Sequence, residues 1–250
     1  MDLTILGSGT SIPSLTRASP GYLVRERATL ALLDCGPGTL RRLLEVGVTP
    51  EEVTHVIFSH HHVDHCADLA PLLFASRNRA SPRRAPLTIA GSPEFLAYFA
   101  ELSRIHGDWL EPSTYSLSLL ALDSGTERLG DFEVTACRVP HIPSSIAIRL
   151  EGDGGRSLVY SGDTDPSDDL GALAGGTDIL LIEASTPDGE KLPGHLTPSL
   201  AGRIASRARP GRVVLTHFYP LCESADMAGQ LRREYQGEAI LARDLLRLSL

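Results

Sequence analysis

Phe58-Ser59-His60-His61-His62-Val63-Asp64-His65-Cys66 is the stretch on which the reading of this chain turns. It holds His-x-His-x-Asp-His from His60 to His65, four metal-capable side chains in six positions. It follows the apolar run Val53 to Phe58, which reads as a buried strand. Imidazole and carboxylate together suit zinc, iron or manganese. Residues at i and i+2 of an extended segment point the same way, so His60 and His62 can grip one ion. Asp64 and His65, just beyond, can reach a second. His61 points the other way and reads as a bystander or an outer hydrogen-bonding group. A solvated, histidine-rich turn is the bland alternative, but such patterns have few matches outside metal sites.

Outward from this stretch, short apolar runs recur with β-branched content. They are Leu3–Leu6, Leu30–Leu33, Leu87–Ala90, Phe132–Val139, Ile146–Leu150, Leu158–Ser161, Ile179–Ile182 and Val213–Thr216, and they read as strands. Helices are expected over Thr39–Val46, Cys66–Ser76 and Pro93–Ile105. Thr197-Pro198 opens another over Ser199–Ala208, and Ser224 is the expected cap of a last one over Ala225–Tyr235. Glu151-Gly152-Asp153-Gly154-Gly155 reads as a turn. With no linker or repeat in sight, the expectation is a single α/β domain over residues 1–250, two mixed sheets with outer helices.

Four more acidic or histidine residues fall at the ends of these runs: Asp34, His141, Asp163 and His217. Each alone reads as a cap or turn former. Their shared placement at strand ends is the argument, because strand ends along one sheet edge converge on one site.

Composition sets bounds. The chain has 250 residues, 42% of them hydrophobic, and a net charge of −8, which opposes general DNA binding. No stretch approaches the length of a membrane span, and the first residues lack a basic segment followed by a long apolar one. Cys35, Cys66, Cys137 and Cys222 are scattered with no Cys-x-x-Cys, which suits reduced thiols and a cytoplasmic location. Cys66 reads as a small buried helix residue.

Taken in order, Asp34, the His60–His65 motif, His141, Asp163 and His217 resemble the pattern of a metallo-β-lactamase-fold hydrolase over nearly the whole chain. The resemblance implies a four-layer αβ/βα sandwich with a binuclear site at one sheet edge. It implies His60, His62 and His141 on the first metal, Asp64, His65 and His217 on the second, Asp163 bridging both, and Asp34 orienting the site from behind. Two divalent ions are expected, zinc ahead of manganese or iron.

The finer resemblance is to the ribonuclease Z branch. It rests on Leu6-Gly7-Ser8-Gly9-Thr10-Ser11, Asp34-Cys35-Gly36-Pro37-Gly38-Thr39, Ser161-Gly162-Asp163-Thr164, Glu183-Ala184-Ser185-Thr186, Gly194-His195-Leu196-Thr197 and Leu215-Thr216-His217-Phe218. It implies that His195 serves the leaving oxygen, that Glu183 orients His195, that Asp64 handles the nucleophile's proton, and that the protein is a homodimer. The chain departs from the branch in three places. Only 21 residues lie between His141 and Asp163, enough for a hairpin but not for a tRNA-gripping arm. Asp165 stands where the branch carries arginine, and Pro13 to Tyr22 replaces a Pro-x-Lys-x-Arg-Asn segment.

The leading expectation is therefore a phosphodiesterase-type hydrolase acting on a small phosphoester or a short RNA end, with tRNA processing disfavoured. Alternatives are a carboxylic ester, lactone or β-lactam hydrolase on the same site. A di-iron redox protein is opposed by His62, and a non-catalytic binding module by the full ligand set. Substrate contacts are sought in the Gly7–Ser14 loop; the Arg77, Arg79, Arg83 and Arg84 cluster could meet a phosphate but reads first as an exposed solvated loop. Trp109, Tyr115 and Tyr219 either wall the pocket or pack in the core.

Overall fold

The structure is a computed structural model that describes residues 1–123 and 125–250. One sheet contains β1 (Asp2–Gly7), β2 (Gly21–Glu26), β3 (Thr29–Cys35), β4 (His55–Ile57), β5 (Leu87–Gly91), β6 (Leu117–Ala121) and, from the far end of the chain, β14 (Arg247–Ser249). The other contains β7 (Thr126–Leu129), β8 (Phe132–Arg138), β9 (Ile146–Glu151), β10 (Ser157–Tyr160), β11 (Ile179–Glu183), β12 (Arg212–Thr216) and β13 (Ala239–Leu241). Their orders are β14-β1-β2-β3-β4-β5-β6 and β13-β12-β11-β10-β9-β8-β7. Both sheets are mixed. In the first, β14 to β3 pair antiparallel and β3 to β6 parallel. In the second, β7 to β10 pair antiparallel and β10 to β13 parallel.

Alternation along the strands explains the layering. In β3, Ala31 and Leu33 join the core between the sheets, together with Ile5, Tyr22, Val134, Ile148 and Leu181. Leu30 and Leu32 face the other way, into a second core under α1 (Thr39–Glu45), α3 (Leu69–Ala75) and α4 (Pro93–His106). There Leu43, Leu69, Leu72, Phe95 and Phe99 cover the sheet. Behind the second sheet, α6 (Pro198–Ala208) and α7 (Met227–Arg232) bury Ala201, Ala205 and Leu231. β10 and β11 are buried on both faces, which accounts for their continuous apolar sequence. The result is the four-layer αβ/βα sandwich of the metallo-β-lactamase type.

All nine apolar runs form strands, although Val53–Phe58 pairs only over His55–Ile57. Five strands carry no such run: β2, β6, β7, β13 and β14. The Cys66–Ser76 helix is in fact two, α2 (Val63–Cys66) and α3. Asp68 separates them: its N–H donates to Cys35 O at 3.0 Å, and its carboxylate accepts from Gly38 N and Leu40 N at 3.0 and 3.1 Å. The last helix is capped by Asp226, which accepts from Gly229 N at 2.8 Å, and not by Ser224, which closes a preceding 3-10 turn. A further helix, α5 (Asp168–Leu173), was not expected; it is two turns long and capped by Ser167. No helix among the described residues is long and apolar enough to cross a membrane, and the four cysteines are free thiols.

Candidate metal centre

The site lies outside the carboxyl ends of the parallel strands, where α/β sheets commonly place their ligands. Asp34 sits near the end of β3, His60 and His62 follow β4, and Asp64 and His65 stand on α2. His141 follows β8, Asp163 follows β10, Glu183 ends β11 and His217 follows β12. Two of these residues turn sharply where their strands stop. Asp34 has φ 58° and His217 φ 62°, left-handed values that cost a non-glycine residue some strain. Gly162, at φ 57°, lets β10 pass close to the motif, since a Cβ there would stand 2.8 Å from Ser59 Cβ.

All seven residues expected to hold metal come together. His60, His62, His141 and Asp163 offer atoms within 4.8 Å of one another, and so do Asp64, His65 and His217. Asp163 belongs to both halves. Its Oδ2 is 3.2 Å from His65 Nε2, 3.8 Å from His60 Nε2 and 3.9 Å from His141 Nε2, while Oδ1 is 3.5 Å from His217 Nε2. His61 lies apart, its ring stacked on Tyr98 at 5.2 Å.

Hydrogen bonds behind the imidazoles decide which nitrogen faces inward. His65 Nδ1 donates to Asp34 Oδ2 at 2.7 Å, and His141 Nδ1 donates to Gly194 O at 2.9 Å. The remaining two cases run through serines. Ser59 Oγ gives its one proton to Asp34 Oδ2 at 2.7 Å, so His60 Nδ1, 3.0 Å away, must donate to Ser59. Ser185 Oγ gives its proton to Glu183 Oε2, so His217 Nδ1, 2.8 Å away, must donate to Ser185. In each of the four rings Nε2 is left as a lone pair aimed at the centre. A histidine whose outer nitrogen is held in this way is ready for a cation.

The centre favours positive charge. His65 Nε2 and His217 Nε2 face each other at 3.3 Å, and His141 Nε2 faces His62 Nδ1 at 3.0 Å. Opposed lone pairs at such distances require a proton or a cation between them. His60 Nε2 and Asp163 Oδ1 are buried with no hydrogen-bond partner, as atoms reserved for a cation would be. Burial pushes the His60 imidazole well below its ordinary range, keeping it neutral as a ligand must be. Burial also lowers His62 and His141. Burial opposes charge on His65 as well, yet Asp163 and Asp34 outweigh it and hold that imidazole well above its usual range. The donor set therefore fits divalent metal.

His195 lies at the rim, its ring stacked over His217 at 5.7 Å. Its Nδ1 donates to Glu183 Oε1 at 3.1 Å, and the same oxygen accepts from Thr164 N at 2.8 Å. Burial opposes protonation of His195, but Glu183 prevails and raises it to about 8. Asp163, His195 and His217 form a third overlapping group, but it shares two members with the halves already described.

Several side chains here carried no sequence reading. Tyr160 OH donates to Asp34 Oδ2 at 2.7 Å, and Tyr22 OH meets Thr216 Oγ1 at 3.0 Å. Ser59 and Ser185 stand inside quoted motifs, yet only the folded geometry reveals their role. The arginine cluster is placed elsewhere. Arg83 is fully buried and donates to Val53 O at 2.9 Å, to Pro50 O at 2.5 Å and to Ser76 Oγ at 3.3 Å, so it braces backbone and does not meet a phosphate. Trp109 packs on Phe74 at 5.7 Å, and Tyr115 lies 5.6 Å from the Arg83 guanidinium. Of the three aromatics, Tyr219 is beside the site, 6.3 Å from both His195 and His217. A groove of about 620 Å³ opens next to Asp64, between the Thr10–Ser19 loop and Val63, with Ile12 and Leu15 on its wall.

The fold, the convergent histidines and the two carboxylates define a metallo-hydrolase of the metallo-β-lactamase type. The family described as "Beta-lactamase superfamily domain" matches residues 29–218, and the chain belongs to it. Within it the chain is ribonuclease Z-like. It is 32% identical over 246 residues to a ribonuclease Z of Mycobacterium bovis, covering 88% of this chain and 86% of that one. Among solved structures, the metallo-β-lactamase fold protein YhfI from Bacillus subtilis superposes with a TM-score of 0.85 at 25% identity, over 99% and 98% of the two chains. The short form of human tRNase Z superposes with a TM-score of 0.78 at 25% identity, over 100% and 99%.

Proposed function

We propose that this protein is a two-metal phosphodiesterase acting on a small phosphodiester or a short RNA end. The observation that carries the reading is Asp163, which reaches both halves of the donor cluster while His195, held by Glu183, stands at its rim. His60, His62 and His141 would hold a first ion and Asp64, His65 and His217 a second, with Asp163 available to both groups. Zinc suits the imidazole-rich set, with manganese and iron next. Bound there, two divalent ions supply acidified water and neutralise charge on a phosphoryl oxygen.

The chain's own residues do the rest. Asp34, Ser59 and Ser185 keep the imidazoles turned, so little reorganisation accompanies the reaction. Asp64 is half of the site nearest the open groove and orients the attacking water's proton. His195, protonated at neutral pH through Glu183, presents Nε2–H to the departing oxygen. The groove beside Asp64 takes the part of the substrate that is not cleaved. Residues 142–162 form a short turn after His141 and the hairpin of β9 and β10 with its tight connection, which supports a small substrate over a tRNA gripped by an arm. The homodimer implied by resemblance belongs to the same reading and is checked by light scattering.

The test is a panel run on one zinc-loaded sample: bis(4-nitrophenyl) phosphate, a chromogenic β-lactam, an aliphatic lactone and a carboxylic ester. Turnover of the phosphodiester well above the other three is expected. Preference for the lactone, the lactam or the ester overturns the substrate class and leaves the metal site standing.

A further inference from the structure

Asp165 takes the place of an arginine in the branch this chain resembles, and its surroundings assign it work. Its backbone N–H donates to Pro140 O at 2.8 Å, next to His141. Its Oδ2 accepts from Gly194 N at 2.7 Å, next to His195. Its Oδ1 accepts from Lys191 Nζ at 2.6 Å. Gly194 in turn gives its carbonyl to His141 Nδ1. One residue thus ties three segments together, by its backbone to the β8 exit carrying His141 and by its side chain to the loop carrying His195, while itself standing at the β10 exit that carries Asp163. Gly194 makes the closeness possible, because at φ 79° a Cβ there would lie 2.7 Å from His141 Nδ1.

We propose that Asp165 and Lys191 form a latch that holds the 191–195 loop against the metal centre and so sets the position of His195. Both are positioning residues that act through His195, and the inference rests on the role proposed for that residue. The ion pair itself is about one-third exposed, with side chains at 36% and 34%, so it contributes little to stability. Its consequence is alignment. The carboxylate's bond to a backbone N–H is charge-assisted and directional, and Lys191 holds that carboxylate turned toward the loop. Displacing a catalytic imidazole by about 1 Å costs on the order of 100-fold in rate. The latch is therefore expected to matter to turnover far more than to folding.

The chemistry of the chain offers a direct probe. Lys191 is its one lysine among 23 basic residues, so an amine-acylating reagent followed by peptide mapping reads the latch at a single side chain. The experiment compares wild type with Asp165→Asn, Lys191→Met and Lys191→Arg, each zinc-loaded and checked for metal content and thermal unfolding. Lys191→Met removes only a partly exposed ammonium, so it serves if Asp165→Asn fails to fold. Three results are expected. Acylation of Lys191 is faster in Asp165→Asn than in wild type. Amide exchange over 191–195 is faster in both Asp165→Asn and Lys191→Met. Both variants lose about 10-fold to 100-fold on a phenyl phosphodiester, less on a nitrophenyl one, and Lys191→Arg restores the rate. The first two readouts need no substrate, so they stand or fall independently of the phosphodiesterase reading. Unchanged acylation and exchange would overturn the latch. Equal losses on good and poor leaving groups, or a fall in metal content matching the fall in rate, would overturn its action through His195.

Discussion

Replacing Asp34 with alanine isolates what the residues behind the metal centre contribute. Asp34 is fully buried and accepts four hydrogen bonds: from Ser59 N at 2.8 Å and from Ser59 Oγ, His65 Nδ1 and Tyr160 OH at 2.7 Å each. The two hydroxyls can rotate toward other acceptors. Ser59 N and His65 Nδ1 cannot. Two fixed buried donors left unpaired, at about 1–3 kcal/mol each, give about 2–6 kcal/mol of lost stability. The second loss is tautomeric. Without Asp34, His65 is free to carry its proton on Nε2, the nitrogen that faces Asp163 and His217, and a protonated nitrogen cannot bind a cation. Loss of such an outer partner typically lowers metal affinity about 10-fold to 100-fold. The assay is competition for zinc against a chromogenic chelator, with urea unfolding of the metal-free protein in parallel. Wild-type zinc affinity in a folded Asp34→Ala protein would refute the reasoning, because Asp34 is the acceptor that holds the His65 proton on Nδ1.

Ser185→Ala frees His217 in the same way, and zinc affinity is expected to fall about 10-fold or more, with recovery in Ser185→Thr; chelator competition checks it. Asp64→Asn is expected to leave the fold intact and lower turnover by about 100-fold or more, since on the proposed mechanism it alters a ligand and the water's proton acceptor together; near-full activity counts against the mechanism. His195 is raised to about 8, and on the proposed mechanism it acts protonated, so turnover is expected to hold below that pH and to decline as pH rises through it. Any stability the raised group contributes follows the same direction, present at lower pH and lost across the alkaline limb. Glu183→Gln removes the charge that supports the imidazolium, and the limb moves to lower pH; a limb that stays in place means another group controls it.

Much of this centre was legible in the sequence because its residues sit where apolar runs end. A strand announces itself by periodicity, and the polar residue that breaks the run is left at the sheet's carboxyl edge. That logic placed Asp34, His141, Asp163 and His217 without any view of their distances. The serines escaped it. Ser59 and Ser185 act through one proton each, and the direction of that proton depends on carboxylates 25 positions upstream and 2 positions upstream respectively, which only the fold brings within reach. β7 and β14 were illegible for a different reason. Thr-Glu-Arg-Leu and Arg-Leu-Ser lie at sheet edges, where exposure removes the apolar alternation a reader looks for. Arg83 misled by its neighbours: its sequence context is an exposed loop of arginines and prolines, whereas its guanidinium is buried on backbone carbonyls. The split between α2 and α3 came from Asp68, a side chain whose capping of the Gly38 turn is a long-range contact that local helix propensity does not contain.

The central claim is that Asp163 joins two cation sites made from five imidazoles and two carboxylates. Elemental analysis of the zinc-saturated, dialysed protein tests it most directly, with Asp163→Ala measured alongside. Two ions per chain are expected in the wild type, with both weakened together in the variant. One ion or none in the folded wild type, or a variant that keeps both, would contradict it.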